Sequence, residues 1–92
     1  PEVRRDLAML VDRAVSASEI QSVITAHAGS ALLHLKLFDV YTGKGVESIQ
    51  KSIGIGLTFQ HPSRTLTDDE ISTAMAEVVA ALETKLKAQL RN

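Results

Sequence analysis

The stretch KSIGIGLTFQ, residues 51 to 60, alternates without a break: Ile53, Ile55, Leu57 and Phe59 fall on one side, and Ser52, Gly54, Gly56, Thr58 and Gln60 on the other. A strict period of two predicts a β-strand with one buried face. The outward row carries almost no side chain. Glycine weakens a strand and usually marks the close approach of another group, so the second face reads as a floor with something lying across it.

Toward the N-terminus, Thr42-Gly43-Lys44-Gly45 has the turn chemistry of a hairpin with a long loop, which makes Leu32 to Tyr41 the preceding strand. That strand begins with apolar residues at Leu33, Leu35 and Leu37, and then Asp39 and Tyr41 fall where a regular strand turns toward the core. Either the register shifts there, or two polar-tipped side chains are aimed out of the protein. A β-bulge near Leu37 or Phe38 satisfies both readings: it moves Asp39 and Tyr41 to the open face and returns Val40 to the core.

Beyond the central strand, RTLTDDEI (residues 64 to 71) holds a helix start. Thr67 is the N-cap, Glu70 closes a capping box, and Leu66 staples to Ile71. Ile71, Met75, Val78, Val79, Leu82 and Leu86 form the stripe of that helix, with Lys85 and Lys87 suited to its C-terminal dipole. The remaining residues, AQLRN, are short enough for either a fourth, edge strand or a frayed tail. The N-terminal half repeats the plan. Leu7, Met9 and Val11 alternate against Arg4, Asp6 and Asp12, predicting a strand over residues 3–11. Ser16 and Glu19 then form a capping box, with Val15 stapled to Ile20, so a helix starts at about Ala17 and ends at Gly29.

The order strand, helix, strand, strand, helix, short strand predicts an α+β fold: a ferredoxin-like split βαββαβ sandwich, its antiparallel sheet covered by two helices on one face and open on the other. Ninety-two residues at 45% hydrophobic content make one domain over 1–92. The absence of cysteine excludes disulfides, cysteine zinc sites and thiol catalysis, and suits a reducing cytoplasm. No apolar run approaches the roughly 20 residues that span a bilayer, and the first residues carry no signal pattern, so the expected location is cytoplasmic. A net charge of −1 argues against a protein that wraps many phosphates. Its distribution is less even: between positions 36 and 64 the basic residues Lys36, Lys44, Lys51 and Arg64 face only Asp39 and Glu47, which leaves local RNA contact open.

Candidate chemistry is sparse. His27, His34 and His61 lie at no metal-ligand spacing, so no metal or other cofactor is expected. Gly43-Lys44-Gly45 lacks the rest of a phosphate loop and reads as a turn. Asp68, Asp69 and Glu70 are explained by capping and the helix dipole. An acylphosphatase-like enzyme would need a fixed arginine and a positioned asparagine, and the sole asparagine is Asn92. No catalytic constellation emerges. Tyr41, the only tyrosine, is either a half-buried cover for the sheet end or a platform for an unpaired base, with Asp39 as a hydrogen-bond acceptor beside it. An RNA-recognition motif would carry its aromatics where this chain has Ala8, Leu10, Gly54 and Gly56.

Four segments together, RRDLAMLVD, LFDVYTGKG, KSIGIGLTFQ and SRTLTDDEI, resemble the ferredoxin-fold anticodon-binding domain that closes the β subunit of bacterial phenylalanyl-tRNA synthetases. The likeness runs nearly end to end. It implies a fragment of a larger subunit that binds and does not catalyse, with phenylalanine tRNA, the rest of the β subunit and the α subunit as partners, and neither DNA nor a membrane among them. It implies that the Phe-Asp-x-Tyr motif, residues 38 to 41, carries the base contacts, with Tyr41 stacking and Asp39 hydrogen-bonding. Arg4, Arg5, Lys44, Lys51 and Arg64 stand in or beside the shared segments, and phosphate contact is inferred for them. Arg5 and Arg64 have an equal competing role, in pairing with Asp6 or in capping a loop. Thr42, Ile49 and Lys87 depart from the family pattern, the first two in the hairpin loop and the third before the final strand. The rival reading is a ferredoxin-like regulatory or protein-interaction domain that uses the same open face.

Overall fold

A computed structural model describes residues 1–91, with the side chain of Asp39 excepted. Asn92 and the direction expected of the Asp39 side chain lie outside the described residues. The elements are β1 (Val3–Asp12), α1 (Ala17–His27), β2 (Leu32–Tyr41), β3 (Gln50–Phe59), α2 (Asp68–Leu86) and β4 (Gln89–Leu90). The sheet order is β2-β3-β1-β4, with antiparallel neighbours throughout, as the split βαββαβ plan requires.

The alternating stretch is the inner strand β3. Its apolar row meets the β1 row directly: Ile53 is opposite Met9, Ile55 opposite Leu7, and Leu57 opposite Arg5. Ile20 and Ile24 of α1 and Ile71, Val78 and Leu82 of α2 close over that surface, and Met9, Ile24, Leu57, Phe59 and Val78 are wholly buried. Burying each large apolar side chain contributes about 1.5–3 kcal/mol before conformational entropy is counted. Both helices start where their caps put them. Ser16 accepts from the Glu19 N–H at 3.0 Å and Thr67 from the Glu70 N–H at 3.1 Å, and each glutamate returns a bond to the cap backbone. Gly29, at φ 88°, follows the end of α1 in the left-handed region that only glycine enters at little cost.

The end of α2 is less ordinary. Ala88 N–H donates to Leu82 O at 3.2 Å, an i to i−6 bond that turns the chain back through a left-handed residue. Lys87 holds that place at φ 54°, ψ 32°. The turn buries Ala88 and delivers a two-residue edge strand, with Leu90 opposite Met9 and Gln89 opposite Leu10.

Strand β2 carries two irregularities. Leu32 pairs with Phe59 and His34 with Thr58, so Leu33 is an extra residue and stands 46% exposed instead of joining the core. Phe38 then pairs with Gly54 and Tyr41 with Ser52, so three steps on β2 answer two on β3. This second bulge turns Tyr41 to the open face, as expected. It does not return Val40 to the core: Val40 is 63% exposed, because residues 39 and 40 share the space opposite Ile53, which already fills the buried side.

Candidate nucleic-acid interface

The register defines four rows on the uncovered face. From one end they run Arg4, Thr58, His34; then Asp6, Gly56, Lys36; then Ala8, Gly54, Phe38; then Leu10, Ser52, Tyr41. The glycine floor is occupied by the chain itself. A Cβ built on Gly54 would lie 2.8 Å from Phe38 Cε2 and 3.0 Å from the Phe38 carbonyl oxygen, so the Phe38 ring occupies the place where β3 has no side chain. Beside it, the Arg4 guanidinium lies over Gly56 and 5.8 Å from the Phe38 ring centroid. Arg4 Nε donates to Asp6 Oδ1 at 2.8 Å, an exposed pair of small energetic weight that sets where the guanidinium sits.

The fourth row ends at Tyr41, which retains 39% exposure. Its hydroxyl donates to Lys44 O at 2.8 Å, which ties the ring to the turn that follows it. The turn passes through Gly43 at φ 128° and Gly45 at φ 86° and is closed by Val46 N–H donating to Gly43 O at 3.0 Å. The Arg91 guanidinium lies 5.5 Å from the ring centroid on one side.

The residues singled out in the sequence do not form one cluster. Tyr41 and Lys44 share the hairpin end of the open face. Arg4 lies six β3 residues away, about 20 Å along the strand. Arg5 takes the parity of the helix-covered face and donates to the Arg4 carbonyl at 3.1 Å. The Lys51 ammonium, also on the helix side, donates to Val15 O at the entry to α1. Arg64, in the loop beyond the far end of β3, forms a bidentate pair with Glu70, both bonds 2.7 Å long. That guanidinium, together with the Thr67 N–H, pulls the Glu70 carboxyl down to about 2. Lys36, one of the basic residues that left local RNA contact open, and His34, weighed only as a metal ligand, both stand on the open face once the Leu33 bulge is known. Arg91 left no signal, since its position depends on the β4 pairing.

On the helix-covered side, a groove of about 490 Å³ runs between the end of α1 and the start of α2, lined by His27, Phe59, Leu66, Asp69, Ile71 and Glu77 among others. No group of three His, Asp or Glu side chains placed to hold a metal ion occurs among the described residues. No helix among them is long and apolar enough to cross a membrane.

Residues 1–91 match the family described as the ferredoxin-fold anticodon binding domain. The chain is 55% identical over 91 residues to the phenylalanine–tRNA ligase beta subunits of Pseudomonas savastanoi pv. phaseolicola and of Pseudomonas syringae pv. syringae, and 54% identical to that of Pseudomonas fluorescens. Each match takes in 99% of this chain and 12% of the relative, so the chain spans about 12% of the length of these proteins.

Proposed function

This chain belongs to the ferredoxin-fold anticodon-binding family, a tRNA-binding family, and from that premise we propose that its open sheet face reads the anticodon loop of phenylalanine tRNA for a phenylalanine–tRNA ligase. The observation that carries the reading is Tyr41: a bulge turns its ring out of the sheet and the Lys44 carbonyl holds its hydroxyl, so a flat apolar surface stands ready without rearrangement. An unpaired base stacked on such a ring contributes about 1–3 kcal/mol. Asp39, on the strength of the Phe-Asp-x-Tyr motif, supplies carboxylate acceptors to a base edge. Lys44 at the hairpin end and Arg4 at the other are the proposed phosphate contacts on the open face. Arg4 would exchange only its exposed pair with Asp6, whereas Arg5 and Lys51 take the helix-covered side and Arg64 is held bidentately by Glu70, so the contribution of these three is smaller. The domain binds; the aminoacylation chemistry belongs to the larger enzyme of which it is one part, with the α subunit.

Titrating the chain with phenylalanine tRNA and with a non-cognate tRNA at several salt concentrations tests this. The cognate tRNA should bind more tightly. The log–log salt slope should stay shallower than about −4, since single-stranded contacts contribute about −0.7 per phosphate neutralised and few basic groups face the ligand. Equal affinity for both tRNAs, or no binding to either, would favour an interaction domain that uses the face for protein.

A further inference from the structure

We propose that Arg91 is a positioning residue for RNA recognition: from the far edge of the sheet it holds the Tyr41 ring and the adjoining turn in the arrangement that receives a base. This rests on the RNA-binding reading of the open face. β4 and β2 are the two outer strands, three spacings or about 14 Å apart. Nevertheless the Arg91 Cζ lies 5.5 Å from the Tyr41 ring centroid. The backbone explains how. Arg91 N–H donates to Ala8 O at 2.8 Å, continuing the β4 pairing by one residue, and this puts the side chain on the open face. It starts beside Ala8, whose single methyl does not obstruct it. At its tip the guanidinium also comes near the hairpin: a Cβ built on Gly45 would lie 4.0 Å from Arg91 Nη2.

Ring, turn and guanidinium therefore form one unit. The Tyr41 hydroxyl holds the turn at Lys44, and Arg91 covers one ring face and borders the turn at Gly45. Tyr41 keeps 39% exposure, so part of its side chain stays open to a base. A tyrosine held this way has less rotamer freedom to lose on binding than one free in solvent, and that saving appears as affinity. A phosphate-binding arginine would behave differently, since it would act on the salt slope and would not depend on the tyrosine.

The test compares Arg91→Ala with the parent, each with and without Tyr41→Ala. The chain has one tyrosine and no tryptophan, so its near-ultraviolet tyrosine circular dichroism and the accessibility of its fluorescence to acrylamide report Tyr41 alone. Arg91→Ala should weaken the tyrosine dichroism and increase quenching in RNA-free protein whose thermal midpoint is unchanged. It should lower affinity for phenylalanine tRNA about twofold to fivefold, the range of one exposed cation–π contact, with the salt slope unaltered. In the Tyr41→Ala background it should cost nothing further. An unchanged tyrosine signal overturns the proposal, as does an equal loss of affinity in both backgrounds, which would make Arg91 an independent phosphate contact. If the parent binds no tRNA, the anticodon reading fails instead, and the holding of Tyr41 by Arg91 is decided by the RNA-free signals.

Discussion

Gly54 and Gly56 lie on the same face of the same strand, two residues apart, yet replacing each with alanine should have opposite consequences. At Gly54 the new methyl meets the Phe38 ring at 2.8 and 3.0 Å and the Phe38 carbonyl oxygen at 3.0 Å. The ring can swing aside, but the carbonyl belongs to the paired strand, in the row just before the bulge, and moves only if β2 moves. Overpacking of this kind costs about 1–3 kcal/mol. The substitution recovers roughly 0.5–1 kcal/mol from the lower entropy of the unfolded chain. The net expectation for Gly54→Ala is a loss of about 1–2 kcal/mol, which lowers the midpoint of a domain this size by about 5–15 °C. At Gly56 the same methyl meets Arg4 Nη2 at 3.0 Å and Asp6 Oδ1 at 3.2 Å, the far ends of two exposed side chains that can give way. Gly56→Ala should be neutral or stabilise by a few tenths of a kcal/mol. Thermal and urea unfolding of both variants beside the parent decides the matter. Equal midpoints for the two variants, or a Gly54→Ala protein as stable as the parent, would show that the Phe38 backbone does not lie over Gly54 as described.

Three further outcomes follow from particular contacts. Tyr41→Ala should lose about 1–3 kcal/mol of phenylalanine tRNA binding while costing under about 1.5 kcal/mol of stability, because the exposed ring contributes one hydroxyl bond and little core; a variant clearly destabilised that binds like the parent would make Tyr41 a packing residue. The Glu70 carboxyl is lowered from 4.5 to about 2 in the folded chain, so its stabilising contribution is complete above about pH 4.5 and is lost as the pH falls toward 2. The stability gap between the parent and Glu70→Gln, read by urea midpoints, should accordingly be level near neutrality and shrink across that acid window, and a gap independent of pH refutes the assignment. Lys87 holds a left-handed conformation that costs a side-chain-bearing residue about 1–2 kcal/mol, so Lys87→Gly should stabilise the domain by up to about 1 kcal/mol after the glycine entropy is subtracted. A lower midpoint for that variant would mean that Lys87 makes a contact worth more than the strain.

Much of this architecture is local chemistry and can be read without coordinates. Ser16 with Glu19 and Thr67 with Glu70 start both helices through bonds that span three residues, and the period of two in residues 51–60 declares a strand from neighbours alone. The site was only partly legible, for a different reason. A bulge is a count of residues on one strand against residues on another, and nothing within residues 32–41 says that Leu33 is the extra residue at one end or that residues 39 and 40 share one place at the other. An expectation of one bulge brought Tyr41 to the correct face but misplaced Leu33 and Val40, because side-chain parity inverts at each irregularity. The bare row of Ser52, Gly54, Gly56 and Thr58 announced that something lies on it; that the occupants are Phe38 and Arg4 follows from pairing across three strands. Arg91 meets Tyr41 across fifty residues of chain through the left-handed turn at Lys87 and the two-residue pairing of β4. Contacts made at that separation are settled by how the strands dock, since no periodicity or capping pattern in the intervening chain encodes the distance between them.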